Sequence, residues 1–313
     1  MAPTFLVTGA TGNQGGAVVK HLLAAGAAIH AVVRDVSSVK AQKLKEQGVA
    51  LFQGTHEEPD EVFREAAMGC TGLFLNPSVF DPSIAKSHAT AIINATKSGS
   101  SSLTTIVLSS TLRANEMHTQ LPLLTTIDPS GFLAAYYTAK HAVEEAVRKS
   151  GVPNITILRP GVLYHDYLPP WSTYVFPELV SEGLLPTRLD EGIEIAHGSA
   201  DDVGKFAAAA LLDPGKFRGK EIDLVSESLT AEEAARVLGE VGGRSIAVKR
   251  GKATGNMGLF HLLSNKQRKE VDVEALEEKW GIGLVRFREF LEENRERLLK
   301  GLPKEGGADG SAK

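Results

Sequence analysis

The chain has 313 residues, 42% of them hydrophobic, enough to bury a large core in two domains or in one domain with an appendage. Its net charge of −4, with no basic block, gives no sign of a nucleic-acid surface. The single cysteine, Cys70, excludes an internal disulfide and fits a reducing compartment.

The first apolar stretch, Phe5-Leu6-Val7, is too short for a secretory leader or a membrane span. No membrane partner is expected, and the expected location is the cytoplasm, with the nucleus left open. Residues 4–8 read as a strand and 13–25 as a helix with Val18, Leu22 and Leu23 on one side. Further strands are expected at 29–33, 49–53, 72–75, 103–108 and 155–158, and helices at 36–47, 59–68, 84–97 and 134–149. This alternation predicts an α/β fold with a parallel sheet covered on both faces and joined by right-handed crossovers. After Arg159-Pro160 the pattern loosens. Residues 164–192, rich in aromatics and prolines, read as loop and short helix rather than sheet. A helix at 200–212, a strand at 221–225, a helix at 230–241, a strand at 245–249 and an amphipathic helix at 285–298 follow. Thr230 with Glu233 three residues on forms the signature that starts the 230–241 helix. The expected division is 1–160, then a smaller region at 161–303 partly interleaved with the first, then a disordered Gly-rich tail at 304–313. No internal repeat is present.

Between the first strand and the first helix lie Gly9, Gly12 and Gly15. The first glycine permits a turn with unusual dihedral angles. The second lets main chain approach a pyrophosphate, and the third lets the helix pack tightly on the sheet. Free amides at the helix start then face the anion. Its position in a strand-turn-helix gives this pattern its specificity. Arg34 stands where the second strand ends. A site for NAD usually places there a carboxylate that binds the ribose hydroxyls. A guanidinium would instead grip a 2′-phosphate, so NADP(H) is expected and NAD is less favoured. Asp35 would serve NAD if it turned inward.

Ser109-Ser110-Thr111 closes a strand, and Tyr136-Tyr137-Thr138-Ala139-Lys140 opens a helix. Tyr136 and Lys140, four apart, share a helical face. An ammonium beside a phenol stabilises the phenolate. Such a tyrosine can move a proton at a substrate oxygen while hydride moves at a nicotinamide. Thr111 or Ser110 would hold that oxygen. The alternative is that Tyr136 packs and Lys140 only binds ribose.

In these residues the chain resembles the short-chain dehydrogenase/reductase superfamily and, within it, the atypical NmrA-like branch. The resemblance rests on Thr8-Gly9-Ala10-Thr11-Gly12-Asn13-Gln14-Gly15-Gly16, on Val33-Arg34, on Gly48-Val49 through Gln53-Gly54, on Leu158-Arg159-Pro160-Gly161 and on Ser199-Ala200-Asp201-Asp202-Val203-Gly204. It implies a doubly wound Rossmann domain that binds NADP(H), with a smaller mixed α/β substrate region. It also implies that Gly9, Thr11, Gly12, Asn13, Gln14 and Gly15 line the pyrophosphate and that Arg34 takes the 2′-phosphate. Asn76 and Pro77 would lie by a ribose, Lys140 would bond the nicotinamide ribose, and Pro160 would back the nicotinamide ring. Two points bear on how far it carries. Relatives often have Gly-Asp near adenine where this chain has Gly54-Thr55-His56. Many members also lack the tyrosine, and some of those sense NADP/NADPH and bind other proteins; this chain has Tyr136.

The first expectation is therefore an NADPH-dependent reductase of a small organic carbonyl or enone. The second is a non-catalytic NADP sensor that regulates a protein partner. A scaffold that has lost cofactor binding is a third, against which the intact glycines argue. Nine scattered histidines show no metal-ligand spacing with cysteines or carboxylates, so no metal site is expected. His165, Asp166 and His141 read as surface or packing groups. Tyr164, Tyr167, Trp171 and Tyr174 fit either an apolar substrate pocket or the core of the smaller region.

Overall fold

The computed structural model describes residues 2–77, 81–251 and 256–303. The chain divides into two compact units. The first comprises 1–125, 130–161 and 200–224, and the second 126–129, 162–199 and 225–313. Against the cut expected after residue 160, the segment 200–224 folds with the first unit. The 304–313 tail and the start of the chain at Met1 lie outside the described residues.

The first unit is built on β1 (Thr4–Val7), β2 (Ala28–Val33), β3 (Ala50–Gln53), β4 (Cys70–Leu75), β5 (Thr105–Ser109) and β6 (Asn154–Pro160), with Lys220–Leu224 at one edge. Across the sheet the order is Lys220–Leu224, β6, β5, β4, β1, β2, β3, and every pairing is parallel. The helices are α1 (Asn13–Ala24), α2 (Val39–Glu46), α3 (Asp60–Ala66), α4 (Pro82–Gly99), α5 (Met117–Ile127), α6 (Phe132–Arg148) and the helix Ala200–Leu212. The strands are buried on both faces, as in Leu73–Leu75 and Ile106–Leu108, which is why they read as continuous apolar runs. The sheet changes direction between β1 and β4, so the carboxyl ends of these two strands form the switch point at which open α/β sheets bind ligands.

Helix α5, whose interior holds Pro122, is absent from the expected elements because an internal proline reads as a helix break. Ala200–Leu212 docks on α1 at close range. A Cβ on Gly204 would sit 2.7 Å from Cβ of Ala17. Asp201 binds Lys20 Nζ at 2.8 Å and His21 Nε2 at 2.9 Å, and these partners hold its carboxyl below the usual range. Residues 201–204 thus clamp the helix that follows the glycine turn.

The second unit contains a three-stranded sheet in the order Glu227–Leu229, Ile195–Gly198, Val162–Leu163 and a parallel pair, Leu184–Thr187 with Ala247–Arg250. The strand Leu184–Thr187 corrects the reading of 164–192 as free of sheet. Its partner lies some sixty residues downstream, which local pattern cannot reveal. The expected helix 285–298 is two, Phe287–Glu293 and Arg295–Lys300, because Asn294 leaves helical geometry between them. Thr230 and Glu233 form the expected capping box of Ala231–Gly242. Tyr164 and Tyr167 are buried with Phe176, Phe287 and Phe290, whereas Trp171 and Tyr174 are 50% and 75% exposed. The aromatic cluster therefore divides between core and surface. No helix among the described residues is long and apolar enough to cross a membrane.

Candidate active site

The glycine turn follows β1 directly. Gly9 has φ +64°, the left-handed region open to glycine. Its carbonyl accepts from the Gly12 amide at 2.8 Å. A Cβ on Gly15 would lie 2.2 Å from that same oxygen and 2.8 Å from the Ala10 nitrogen, so α1 can begin here only with glycine. Gly12 is the N-cap residue of α1 and, lacking a side chain, offers no capping bond; no acidic residue occupies the first turn. The amides that a Ser or Asp would ordinarily satisfy are left to an anion, and the helix dipole favours one.

Two side-chain bonds fix the surroundings of the turn. Thr8 Oγ1 donates to the Phe74 carbonyl at 3.1 Å and accepts from the Asn76 amide at 2.8 Å, latching the ends of β1 and β4. Asn76 Nδ2 lies 4.0 Å from where a Gly9 Cβ would be. Buried Ser109, at the end of β5, donates to Gln14 Oε1 at 2.6 Å. Thr8 and Ser109 stand in the quoted motifs, but the sequence reading gave them no such bonds. The pairing of β1 with β4 shows what the Thr8 hydroxyl can reach, and the approach of α1 to the end of β5 shows it for Ser109.

The segment after β5 runs along the end of β6. The Ser110 amide donates to Leu158 at 2.7 Å and the Leu112 amide to Pro160 at 3.0 Å, which places Thr111 between two anchors beside Pro160. The Ser110 hydroxyl is shut away from solvent without a partner. Thr111 is half-buried.

Helix α6 presents the tyrosine and lysine. Lys140 Nζ donates to the Pro77 carbonyl at 3.2 Å and lies 5.9 Å from the centre of the Tyr136 ring. Burial pushes the Lys140 ammonium down to about 8, with Glu144 acting against the shift. Tyr137 is buried, and burial raises its phenol above the ordinary range; Tyr136 is half-buried and the more exposed of the two. One turn beyond Lys140, the fully buried Glu144 receives Arg159 Nε and Nη2, each at 2.8 Å. Arg159 also reaches Glu221 at 2.5 Å. Buried charges persist when paired and hydrogen-bonded, and this pair fixes α6 against β6. Arg159 stands in the Leu158-Arg159-Pro160-Gly161 motif, but its carboxylate partner is set by packing and has no local sequence signal.

Arg34 is exposed at the end of β2. Asp35 Oδ1 accepts from the Ser37 amide at 2.8 Å and hydroxyl at 2.6 Å, which turns that oxygen toward its own loop. His56 is held below its ordinary range by burial, then by the nearby charges of His88 and Arg34. The segment after β3 therefore offers an imidazole where a carboxylate would stand. His165 packs on Phe290 with ring centres 4.9 Å apart.

A doubly wound parallel sheet with an uncapped glycine turn at its switch point defines the Rossmann class of nucleotide-binding fold. The NmrA-like family model matches residues 1–254, and the chain belongs to that family. An NmrA-like family domain-containing oxidoreductase of Aspergillus japonicus is 25% identical over 238 residues, covering 72% of this chain and 68% of that one. A second such oxidoreductase, from Penicillium ochrochloron, is 26% identical over 257 residues, covering 76% and 72%. Among solved structures, NmrA, a negative transcriptional regulator in complex with NAD, superposes with a TM-score of 0.74 at 19% identity, covering 96% of this chain and 98% of its own. Citrobacter sp. triphenylmethane reductase complexed with NADP(H) gives 0.69 at 23%, covering 93% and 99%. At these identities the solved structures share the fold.

Proposed function

We propose that the protein binds NADP(H) and is an NADPH-dependent reductase of a small organic carbonyl or enone. The observation that carries this reading is the bond from Lys140 Nζ to the Pro77 carbonyl, which ties the tyrosine-bearing helix to the strand end beside the glycine turn. The residues present fit the dinucleotide. The turn offers amides with no competing carboxylate, and Gly12 lacks the Cβ that would crowd a diphosphate. Gly9, Thr11, Gly12, Asn13, Gln14 and Gly15 would hold the diphosphate, Arg34 the 2′-phosphate, and Asn76, Pro77 and Lys140 the nicotinamide ribose. Pro160 would back the ring. The names of the two NmrA-like oxidoreductases support a redox role, and the NADP(H)-bound reductase supports the cofactor. The single cysteine, buried Cys70, suits a reducing compartment, and the cytoplasm is the proposed location.

When bound, the reduced nicotinamide supplies a hydride to the electrophilic carbon of the substrate. Tyr136 Oη donates a proton to the substrate oxygen, and the Lys140 ammonium favours the phenolate that remains. Thr111 is the better placed of the two hydroxyl residues to orient that oxygen, since the Ser110 hydroxyl is enclosed. The Glu144–Arg159 pair keeps Lys140 at its position along α6. The test is NADPH oxidation, followed by ultraviolet absorbance, with a panel of quinones, aldehydes and enones. Turnover that disappears in Tyr136→Phe while NADPH affinity is retained is the expected result. Tight NADP binding with no turnover on any substrate would overturn the reductase reading and point to a sensor.

A further inference from the structure

The first unit brings together two histidines that the proposed reaction does not use. His118 lies in α5 and His141 in α6, 23 positions apart. Their Nε2 atoms are 3.1 Å apart, and the rings meet edge-on with centroids 4.6 Å apart and an interplanar angle of 83°. His141 Nδ1 lies 3.0 Å from the Ala114 carbonyl. A carbonyl only accepts, so that nitrogen carries the proton and the lone pair of neutral His141 is on Nε2. A ring N–H held by a backbone carbonyl is the arrangement that orients and primes metal-bound histidines.

The separations also suit a shared ligand. With metal–nitrogen bonds of about 2.05 Å, two imidazole nitrogens lie about 2.9 Å apart at a right angle and about 3.3 Å apart in a tetrahedron. The observed 3.1 Å falls between these. A straight N–H···N bond of that length would hold the ring centres about 5.4 Å apart. The observed 4.6 Å means that the contact is bent, with the two rings inclined to the line joining the nitrogens rather than collinear across it.

We propose that His118 and His141 form a two-histidine site for a divalent cation of the zinc, nickel and copper group, with water completing the coordination. Imidazole selects these ions over magnesium, calcium or manganese, which prefer oxygen donors. Among the described residues no group of three His, Cys, Asp or Glu side chains is placed to hold a metal, so the site is open rather than closed. To bind, neutral His118 moves its proton from Nε2 to Nδ1, and both Nε2 lone pairs then face the ion. The cation ties α5 to α6 one residue beyond Lys140.

The experiment is titration of tag-free protein with Cu2+, Ni2+ and Zn2+ by calorimetry, alongside His118→Gln, His141→Gln and the double variant. Saturable one-to-one binding is expected, strongest for Cu2+. Each single substitution should weaken it at least tenfold, and the double variant should lose it. Electron paramagnetic resonance of the Cu2+ form should show two nitrogen donors, a readout that needs no variant. Undiminished binding in the double variant, no saturable binding by the wild type, or a copper spectrum without two nitrogen donors would each overturn the proposal.

Discussion

Gly15→Ala places a methyl where the structure has none to spare. Its Cβ would stand 2.2 Å from the Gly9 oxygen, 2.4 Å from the Gly9 carbonyl carbon and 2.8 Å from the Ala10 nitrogen. All three are main-chain atoms, and the oxygen is already held by the Gly12 amide at 2.8 Å. Ordinary carbon–oxygen contact needs about 1 Å more, so the start of α1 must move away from the turn. Overpacking of this kind costs about 1–3 kcal/mol, and the better helix propensity of alanine returns about 1 kcal/mol. The net loss of stability is therefore modest, about 0–2 kcal/mol. The effect on binding is larger, because the amides that face the diphosphate shift with the helix. Losing one charge-assisted amide bond to the diphosphate costs about 1.5–3 kcal/mol of affinity, roughly 10- to 150-fold. Gly12→Ala is the comparison for stability, since its Cβ would meet only the Gly9 oxygen at 3.2 Å, a contact relieved by a few tenths of an ångström, whereas its NADPH affinity should fall too because that methyl would face the diphosphate. Urea unfolding and NADPH fluorescence titration on both variants supply the assay. A Gly15→Ala protein that binds NADPH as tightly as the parent would refute the reasoning.

Three other outcomes follow from the site. Glu144→Gln removes one of the carboxylates that hold buried Arg159, leaving Glu221, and should cost about 1.5–3 kcal/mol, seen as a lower urea midpoint at unchanged slope. Lys140 holds its proton less firmly when folded, near 8 against an ordinary 10.5. Below pH about 8 both folded and unfolded states carry the charge, and the burial cost is in full force; between about 8 and 10.5 the unfolded chain binds more protons, so this contribution to stability improves as pH rises. Lys140→Met should therefore be stabilising at neutral pH, with the gain fading in unfolding curves toward pH 10, and wild-type NADPH affinity should fall above about pH 8. Arg34→Ala should weaken NADP by about 1.5–3 kcal/mol, roughly 10- to 150-fold, with little change for NAD. An equal loss for both in competition titrations would remove Arg34 from the 2′-phosphate.

The sheet was legible because its strands are short apolar runs separated by helices with clear faces, and the glycine turn because its function depends on missing side chains. Thr230 with Glu233 located a helix start to the residue, since the capping box is a local chemical arrangement. Features set by distant partners were hidden. Leu184–Thr187 becomes a strand through Ala247–Arg250, and Lys220–Leu224 returns to the edge of the first sheet beside β6. Helix α5 was masked by Pro122. The helix Val273–Trp280 carried readable signals, the Asp272 cap bonded to the Ala275 amide and Gly281 at φ +67°, that the sequence reading passed over. Within the site, residue types were readable but pairings were not. Arg159 stood in a quoted motif, yet only the packing of α6 on β6 shows that it holds Glu144. His118 and His141 have no motif spacing and meet only because two helices pack.

The uncapped amides after β1 are the proposed seat of a dinucleotide diphosphate. Isothermal calorimetry of the full chain with NADPH, NADP and NAD tests this most directly. Saturable one-to-one binding is predicted, tighter for the phosphorylated forms and weakened strongly by Gly15→Ala. Well-folded protein that takes up none of the three at millimolar concentration would contradict it.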